Sequence, residues 1–432
     1  RAALRKFGAP AQNFVYADTS GHIGWYPSHE LPIRDDWKNT PPFLPLPGTG
    51  TSEWNGSVPR SELPQAYDPE SGYLLTANAD PRGYSFDGDV LNDGEHYIGF
   101  MWDAGFRVSR INQRLEASFK AAAKLTPEDM MSIQADKRSA LGTRLRDSLV
   151  TALLAAKAGS DESTKALWSS SMDPVLTLLE DWDLDATDGS AATVGSAEAQ
   201  SAAAAAVFNV WLTYLVNNVL DEKTGLAGLE DRLRSRLLLA MVDAPEGMAT
   251  YDAANATSAI WDSPATTEHR ETQAERYLVA LQNALAWLAN PEVVGVLKQG
   301  GFGTSDWNAW RWGKIHTMTL KHNLVAGFNV PTPSLYPEGF PRAGDAFGVD
   351  ASHPGMDNRN FTYGSGPAIR HVIEMTTPVS RYGVTPGGQA EKATDPHYAD
   401  QANLWAKNVA PKNPMALSEV LAAKERIVDL AP

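Results

Sequence analysis

Residues 71–81 read Ser71-Gly72-Tyr73-Leu74-Leu75-Thr76-Ala77-Asn78-Ala79-Asp80-Pro81, and they place one amide, Asn78, between a short apolar run and a proline. Leu74 and Leu75 favour burial. Pro81 cannot continue a β ladder, and it biases the residue before it towards extended backbone. The stretch therefore predicts that Asn78 lies where a strand ends and a loop begins, which is a common position for functional side chains.

The carboxamide of Asn78 suggests a chemical role at this position. It can donate two hydrogen bonds without carrying a charge. Such a donor suits an oxyanion hole, where it faces a negative charge that develops only in the transition state. The alternative is an asparagine whose side chain closes its own turn. The stretch by itself favours the turn, whereas the motifs around it favour the oxyanion hole.

The composition is that of a globular protein with an excess of negative charge. The 432 residues are 43% hydrophobic and 21% charged, and 52 acidic against 37 basic residues give a net charge of −15. This length suffices for a large core and allows two or three domains. A surface of this sign repels polyphosphate, so we expect no nucleic acid partner. The absence of cysteine excludes disulfides, thiolate metal sites and cysteine nucleophiles.

The longest apolar run, residues 201–220, contains the amide side chains of Asn209, Asn217 and Asn218. A bilayer span disfavours such groups, so the run predicts a buried helix and no membrane partner. Residues 1–6 lack the apolar segment of a secretory signal. If the parent protein is exported, we expect its signal to lie upstream of Arg1.

The beginning of the chain predicts strands followed by a long loop. Residues 13–26 read as a hairpin, because two β-forming segments flank a Thr-Ser-Gly turn. Residues 27–66 are rich in proline and glycine, so we expect an ordered loop that wraps a surface. Trp25, Trp37 and Trp54 are the expected anchors of this loop.

The middle of the chain predicts helices. Residues 107–122 carry apolar side chains at spacings of three and four. Thr126, Pro127 and the acids after them form a strong helix start, with threonine as the N-cap and proline in the first turn. Further helical patterns cover residues 142–157, 164–180, 197–220, 227–242 and 272–290.

After about residue 305 the pattern returns to strands. Residues 310–316 lead into an alternating segment at 317–320, and residues 361–363 and 370–375 are two more strand candidates. A long helical segment thus separates two β-containing ends, and the simplest arrangement lets both ends join one sheet system. The expected fold class is α+β, divided into a β-rich part at 1–112, a helical insertion at 113–304 and a return to the β core at 305–432.

An ordered set of motifs supports a more specific interpretation than any single one of them. The motifs are Asn13-Phe14-Val15-Tyr16-Ala17-Asp18, Gly21-His22-Ile23-Gly24-Trp25-Tyr26, Leu46-Pro47-Gly48-Thr49-Gly50, Trp54-Asn55-Gly56, Phe100-Met101-Trp102-Asp103-Ala104-Gly105-Phe106-Arg107-Val108, Gly387-Gly388-Gln389 and Pro396-His397-Tyr398-Ala399-Asp400-Gln401. In order and spacing, this set resembles the β chain of the penicillin amidase (penicillin acylase) family of N-terminal-nucleophile hydrolases. The resemblance is clear over about residues 10–115 and 305–430.

The resemblance implies a fold and a reaction. The fold is the αββα sandwich of N-terminal-nucleophile hydrolases, here with a large helical insertion. The reaction is hydrolysis of an acyl–amine amide by a serine that becomes the first residue of the β chain after autocatalytic cleavage. Its α-amine, with a typical pKa near ~8, handles the proton. Asn78 occupies the place of the asparagine that holds the oxyanion.

Arg107 has a structural and a functional interpretation. A guanidinium among aromatic residues is often stacked or paired with a carboxylate, and Asp103 is the nearest candidate partner. In the family pattern the matching arginine lies near the nucleophile and helps to set its electrostatics. The resemblance therefore carries that role to Arg107.

The resemblance also implies a missing partner. The chain begins with Arg1, and the stretch before Asn13 aligns well inside the family's β chain. We therefore expect the serine to lie on another segment, and this C-terminal portion alone to be inactive. The resemblance also implies a periplasmic or extracellular enzyme. The implied substrate is a small acyl amide of unspecified acyl group; relatives cleave penicillins, glutaryl cephalosporins, acyl-homoserine lactones and lipopeptides. The alternative is a non-catalytic structural or binding fragment of the same fold.

Candidate metal ligands are few, and no cofactor is required by the expected reaction. His316 and His322 would lie roughly 20 Å apart on a strand, too far for one ion. Residues 87–95 cluster oxygen ligands that could hold calcium or form a solvated acidic loop. The resemblance implies a structural calcium with a backbone carbonyl from Pro42, but Glu95 stands where the family has a clear aspartate.

Overall fold

The computed structural model describes residues 3–82, 94–223, 225–266, 268–291, 300–322, 325–356 and 360–425. It contains both helices and sheets, so the predicted mixture of the two is confirmed. The chain divides into two compact units. Unit 1 is formed within Arg1–Leu125, Ile373–Arg381 and Asn413–Pro432, and unit 2 within Thr126–Val372 and Tyr382–Lys412. The division predicted at 112/113 and 304/305 stays a prediction.

The predicted hairpin opens unit 1. Strand β1 (Gln12–Ala17) pairs antiparallel with β2 (Ile23–Ser28), and β3 (Ala66–Tyr67) adds to the other side of β2. Asp18 shapes the turn, because its carboxylate accepts hydrogen bonds from the backbone N–H groups of Ser20 and His22 at 2.8 and 3.1 Å. These hydrogen bonds satisfy backbone N–H groups of the turn, which have no strand partner.

The long loop between β2 and β3 has fewer tryptophan anchors than the sequence predicts. Trp37 is buried, and its indole N–H donates to the carbonyl of Glu95 at 3.1 Å. Trp54 is 69% exposed and lies near the guanidinium of Arg34, so its predicted role as an anchor is wrong. A cation over the ring face stabilises an exposed tryptophan without burial.

Helices α1 (Phe106–Lys120) and α11 (Leu417–Ala423) belong to unit 1, whereas the other α-helices of the described residues belong to unit 2. Helix α2 (Pro127–Gln134) begins at the predicted Thr126 N-cap, where Thr126 and Asp129 form a reciprocal capping box. The remaining helices are α3 (Ala140–Ala158), α4 (Glu162–Leu167), α5 (Asp173–Glu180), α6 (Ala197–Val216), α7 (Asp231–Asp243), α8 (Gln273–Ala289), α9 (Trp312–Ile315) and α10 (Ala402–Ala406).

Helix α6 forms the centre of unit 2. It is apolar on all sides, as expected of a helix that other helices surround. The indole of its Trp211 donates to the carbonyl of Tyr277 on α8 at 3.1 Å. In the part of the chain that the structure describes, Ala197–Asp221 is the one helical segment long and apolar enough to cross a membrane, but 83% of its 18-residue apolar stretch is buried inside the protein. The predicted buried helix is thus confirmed.

Three predicted elements differ from the structure. The helix predicted over 164–180 is divided into α4 and α5, because Trp168 is extended and Pro174 fits only the first turn of a new helix. Residues 361–363 form no strand, because the Asn360 side chain accepts from the N–H and hydroxyl of Thr362 and makes a turn. Of the alternating segment predicted at 317–320, only Thr317–Met318 form a strand, and the residues before it form α9.

The remaining strands form small sheets. Strand β4 (Tyr251–Asp252) pairs with β5 (Thr257–Ser258), and β6 (Thr317–Met318) pairs with β7 (Phe340–Pro341). Strands β8 (Arg370–Glu374), β9 (Ser380–Val384) and β10 (Lys412–Asn413) form a three-stranded sheet in the order β10-β9-β8. The strand predicted at 370–375 is therefore confirmed.

A charged cluster lies in the core of unit 2. Arg342 and Asp350 are fully buried, and their ion pair spans 3.2 Å between Nη2 and Oδ2. The guanidinium of Arg342 also donates to the hydroxyl of Ser352 at 2.8 Å and to the carbonyl of Ala406. It lies 5.0 Å from the centre of the Trp405 ring. Buried charges need such partners, because burial removes their hydration.

Asp345 predicts a pH dependence of stability. It is buried, and burial raises its pKa to about 7 despite a hydrogen bond from Asn209 Nδ2 at 3.3 Å. The folded protein therefore holds a proton that the unfolded chain loses near its ordinary pKa of 3.8. The contribution of Asp345 to the free energy of unfolding is fully present below pH 3.8 and is lost as the pH rises through about 7. The total loss in the free energy of unfolding is at most about 4 kcal/mol.

The measurement is urea unfolding between pH 4 and 8. We expect Asp345→Asn to flatten the profile and to raise the free energy of unfolding most at pH 8, since an amide stays neutral. Asp181→Asn, a change at an exposed carboxylate in the same unit, serves as the matched control. A profile for Asp345→Asn that parallels the unchanged protein would contradict the assignment.

Candidate active site

Asn78 lies within a loop and not at the end of a strand. Residues 71–80 form turns and irregular backbone, so the predicted strand end is wrong. Gly72 and Asn78 have φ angles of 74° and 62°, and this left-handed backbone interrupts strand pairing at both positions. Asparagine tolerates that conformation better than most residues do. The loop therefore presents Asn78 at a turn on the surface of unit 1.

The Asn78 side chain does not close its own turn. Its Oδ1 accepts a hydrogen bond from Arg107 Nη2 at 2.9 Å, across 29 positions of sequence. Because an arginine side chain has only donors, the amide oxygen must be the atom that faces it. The Nδ2 group is consequently turned away, and among the described residues none accepts a hydrogen bond from it. Asn78 is exposed, so both of its N–H donors are available to another molecule.

The structural interpretation of Arg107 is present in the geometry. Arg107 lies in the first turn of α1, and its Nη2 donates to Asp103 Oδ2 at 2.9 Å. The side chains are 22% and 13% exposed, so water screens this ion pair only in part. The predicted salt bridge is confirmed, and the same nitrogen also bonds Asn78. The structure thus brings the two predicted catalytic residues into direct contact.

A second polar contact supports the loop of Asn78, and sequence reasoning did not find it. Asn13 on β1 donates from Nδ2 to Thr76 Oγ1 at 3.3 Å and accepts from the Trp25 indole at 2.9 Å. These bonds join the hairpin to the loop two residues before Asn78. No local signal marks a contact between residues 63 positions apart, although both segments lie within the quoted motifs.

The calcium site predicted at Pro42 and Glu95 stays a prediction. Pro42 lies in a turn of the long loop, and Glu95 is exposed with its carbonyl bonded to Trp37. Within the described ranges, no group of three or more His, Asp or Glu side chains is placed to hold a metal ion. Most of the acidic stretch at 87–95 lies outside the described residues. No step of the proposed reaction uses a calcium ion.

His316 has the structural role that the sequence predicts. It is fully buried in unit 2, and its Nδ1 donates to the carbonyl of Phe361 at 2.6 Å. Burial lowers its pKa to about 3, which keeps the imidazole neutral. His316 also stacks on Trp312 with ring centres 4.8 Å apart. It therefore belongs to the core.

A surface cavity of about 310 Å³ lies in unit 2. The predicted site residues Pro42, Asn78, Glu95 and Arg107 are not among its lining residues. Its lining includes Trp182, Asp183, Ser201 and Trp307. Ser201 is engaged, because its hydroxyl donates to Asp183 Oδ1 at 2.7 Å. The candidate site is accordingly the cluster of Asn78, Arg107 and Asp103 in unit 1.

Comparison with a solved structure identifies the class of fold. The thermostable penicillin G acylase from Alcaligenes faecalis matches with a TM-score of 0.54 and 18% sequence identity. The match covers 100% of this chain and 69% of that one. At this identity the match establishes the fold alone, which is that of a penicillin acylase.

Sequence comparison then gives the family. The profile of penicillin amidases matches residues 1–420. Because the match covers nearly the whole sequence, the chain belongs to the penicillin amidase family.

Individual relatives agree with this membership. Penicillin G acylase of Escherichia coli is 29% identical over 209 residues, or 48% of this chain and 22% of that protein. Acyl-homoserine lactone acylase QuiP of Pseudomonas aeruginosa is 25% identical over 430 residues, which cover 94% of this chain and 44% of that protein. Penicillin acylase 2 proenzyme of Pseudomonas sp. strain SE83 is 26% identical over 411 residues, with the same coverage. The chain spans less than half the length of these relatives.

Proposed function

We propose that this chain is part of an acylase that hydrolyses amides between an acyl group and an amine. It supplies the oxyanion donor Asn78 and the supporting cation Arg107. A partner segment supplies the N-terminal serine. The observation that carries the proposal is the bond from Arg107 to Asn78 Oδ1, which leaves both Nδ2 donors directed elsewhere and exposed. An oxyanion hole requires donors that are oriented before the reaction begins.

The proposed reaction has two stages. The serine Oγ attacks the amide carbonyl, and its proton passes to the serine α-amine, directly or through water. Asn78 Nδ2 donates to the negative oxygen of the tetrahedral intermediate. The intermediate collapses to an acyl-serine ester, and the leaving amine takes the proton. Water then attacks the ester by the same route, and the carboxylic acid leaves.

The edge of the first sheet supports the presence of a partner segment. Strand β1 lies at the edge of its sheet, with β2 as its one strand neighbour among the described residues. Val15 and Tyr16 on β1 are 67% and 55% exposed. An exposed edge strand that carries apolar side chains is a ready template for another strand. The proposed partner adds its strands here and completes the αββα sandwich.

The proposal places the chain in the C-terminal part of an acylase β chain, with residues 113–304 as a helical insertion. Coverage of 44% of two relatives, one of them called a proenzyme, supports a larger processed protein. Periplasmic or extracellular location is part of the same proposal. Calcium is not required for the chemistry.

The acyl group is left open by the relatives. Their names include a penicillin G acylase and an acyl-homoserine lactone acylase, which differ in both halves of the amide. The shared chemistry is an acyl chain joined to an amine. We therefore propose the reaction class, and a panel of aromatic and aliphatic acyl amides should define the specificity.

Coexpression with the proposed serine-bearing segment tests the proposal. The chain by itself is expected to release no amine from a panel containing a penicillin and an acyl-homoserine lactone, because the proposed nucleophile is a serine supplied by another segment. The chain coexpressed with the serine-bearing segment of its own parent protein is expected to hydrolyse at least one of them. A Ser→Ala change in that segment is the control. Hydrolysis by the chain alone, or an inactive folded complex across the panel, would refute the proposal.

A further inference from the structure

We infer that Asp103 is a positioning residue of the acylase, because it holds Arg107 and Asn78 in the arrangement that directs the Asn78 Nδ2 group outward. The inference rests on the proposed function and extends it to a residue that does not touch the substrate. It concerns three hydrogen bonds that close a ring between the loop of Asn78 and the start of α1.

The first contact fixes the main chain of Asn78. The backbone N–H of Asp103 donates to the carbonyl of Asn78 at 3.0 Å. This bond holds the backbone of Asn78, whose left-handed φ of 62° is otherwise a minor conformation. Asp103 thus limits the rotation of the peptide that presents the amide.

The second and third contacts share one nitrogen. Arg107 Nη2 donates to Asp103 Oδ2 and to Asn78 Oδ1, each at 2.9 Å. An Nη group carries two hydrogens, so one serves each oxygen. The guanidinium cannot swing away from Asn78 without also leaving the carboxylate, which is a charge-assisted and stronger partner.

Asp103 is itself fixed by the helix that carries Arg107. Its Oδ1 accepts from the backbone N–H of Gly105 at 3.2 Å, just before α1 begins. Gly105 has a φ of 91°, which a side chain would strain, so the close turn between Asp103 and Arg107 depends on glycine. Both carboxylate oxygens are therefore engaged, one with the turn and one with the guanidinium.

The arrangement has a chemical consequence. Donation from a cation to Asn78 Oδ1 polarises the amide and makes its N–H groups better donors. The aspartate offsets the charge of Arg107, which keeps the guanidinium in place without a bound anion. Loss of Asp103 should leave Asn78 intact and poorly oriented, so that kcat falls and KM changes little.

The test uses the completed enzyme with single and double substitutions. Asp103→Ala is expected to lower kcat roughly tenfold, and Asp103→Asn by less, because an amide oxygen can still accept one of the two bonds. Glu116→Gln on the same helix removes an i,i+4 ion pair with Lys120 and is the matched control. In an Asn78→Ala background, Asp103→Ala should cause almost no further loss, since the two residues act as one unit.

Nuclear magnetic resonance of the same protein, with asparagine selectively labelled with ¹⁵N, gives a readout that does not need activity. The Asn78 side-chain signals, assigned by their loss in Asn78→Asp, should shift in Asp103→Asn and stay in place in Glu116→Gln. Unmoved signals, or equal kcat losses with and without Asn78, would overturn the inference. If the signals shift as expected while the completed wild-type enzyme hydrolyses nothing, the proposed function fails and the positioning contact stands.

Discussion

Replacing Asn78 with aspartate in the completed acylase is expected to lower kcat at least about a hundredfold, with little change in KM. Loss of one oxyanion-hole donor typically costs about 3 kcal/mol in the barrier. Aspartate has the same shape and tolerates the left-handed backbone, and Arg107 gives it a cationic partner. It offers no N–H, and its charge opposes the oxyanion. The rate therefore reports the lost donor together with the added charge, without a change in the fold.

Asn78→Ala should show a similar loss, although alanine is less suited to a φ of 62°. Asn39→Ala is the matched control, because Asn39 is an exposed amide in the same unit that bonds Asp36 in its own turn. The control should keep the wild-type kcat. A kcat within about threefold of wild type for both Asn78 variants would remove this residue from the mechanism.

Replacing Arg342 with methionine is expected to lower the free energy of unfolding of unit 2 by about 3–5 kcal/mol. The substitution leaves the carboxylate of Asp350 fully buried without its ion-pair partner. It also removes the guanidinium donors from Ser352 and from the carbonyl of Ala406. Methionine fills similar space, so the measured loss should come from charge and hydrogen bonding more than from a cavity.

Urea unfolding at neutral pH measures this effect. Arg144→Met is the control, because Arg144 pairs with Asp243 at the surface and should cost less than about 1 kcal/mol. Adding Asp350→Asn to Arg342→Met should recover part of the stability, since the unpaired charge is gone. Equal losses for Arg342→Met and Arg144→Met would show that the buried pair does not stabilise the fold.

Elements with strong local signals were predicted well from sequence. The hairpin at 13–26 and the capped start of α2 are examples, because their turns and caps use residues a few positions apart. The buried helix α6 was predicted because its apolar residues surround the whole axis. A strand pattern is misleading where a nearby side chain makes hydrogen bonds that compete with strand pairing. Asn360 makes such a bond with Thr362, inside the strand predicted at 361–363.

The arrangement of the candidate site could not be predicted from the sequence, and the catalytic roles of Asn78 and Arg107 stay predictions. Motif order selected Asn78 and Arg107, whose contact the structure then supplies. The sequence could not give the direction of the amide, because that direction depends on a donor 29 positions away. It also could not give the bond from Asn13 to Thr76, since tertiary contacts between distant loops leave no periodic pattern.

The central claim is that Asn78 Nδ2 meets the oxyanion formed on a serine from another segment. The most direct test is a crystal structure of the completed enzyme with a phosphonate transition-state analogue bound to that serine. We predict that Asn78 Nδ2 lies about 2.7–3.1 Å from the anionic oxygen of the analogue, with Arg107 still bonded to Oδ1. A distance beyond about 4 Å, with another group donating to that oxygen, would contradict the account.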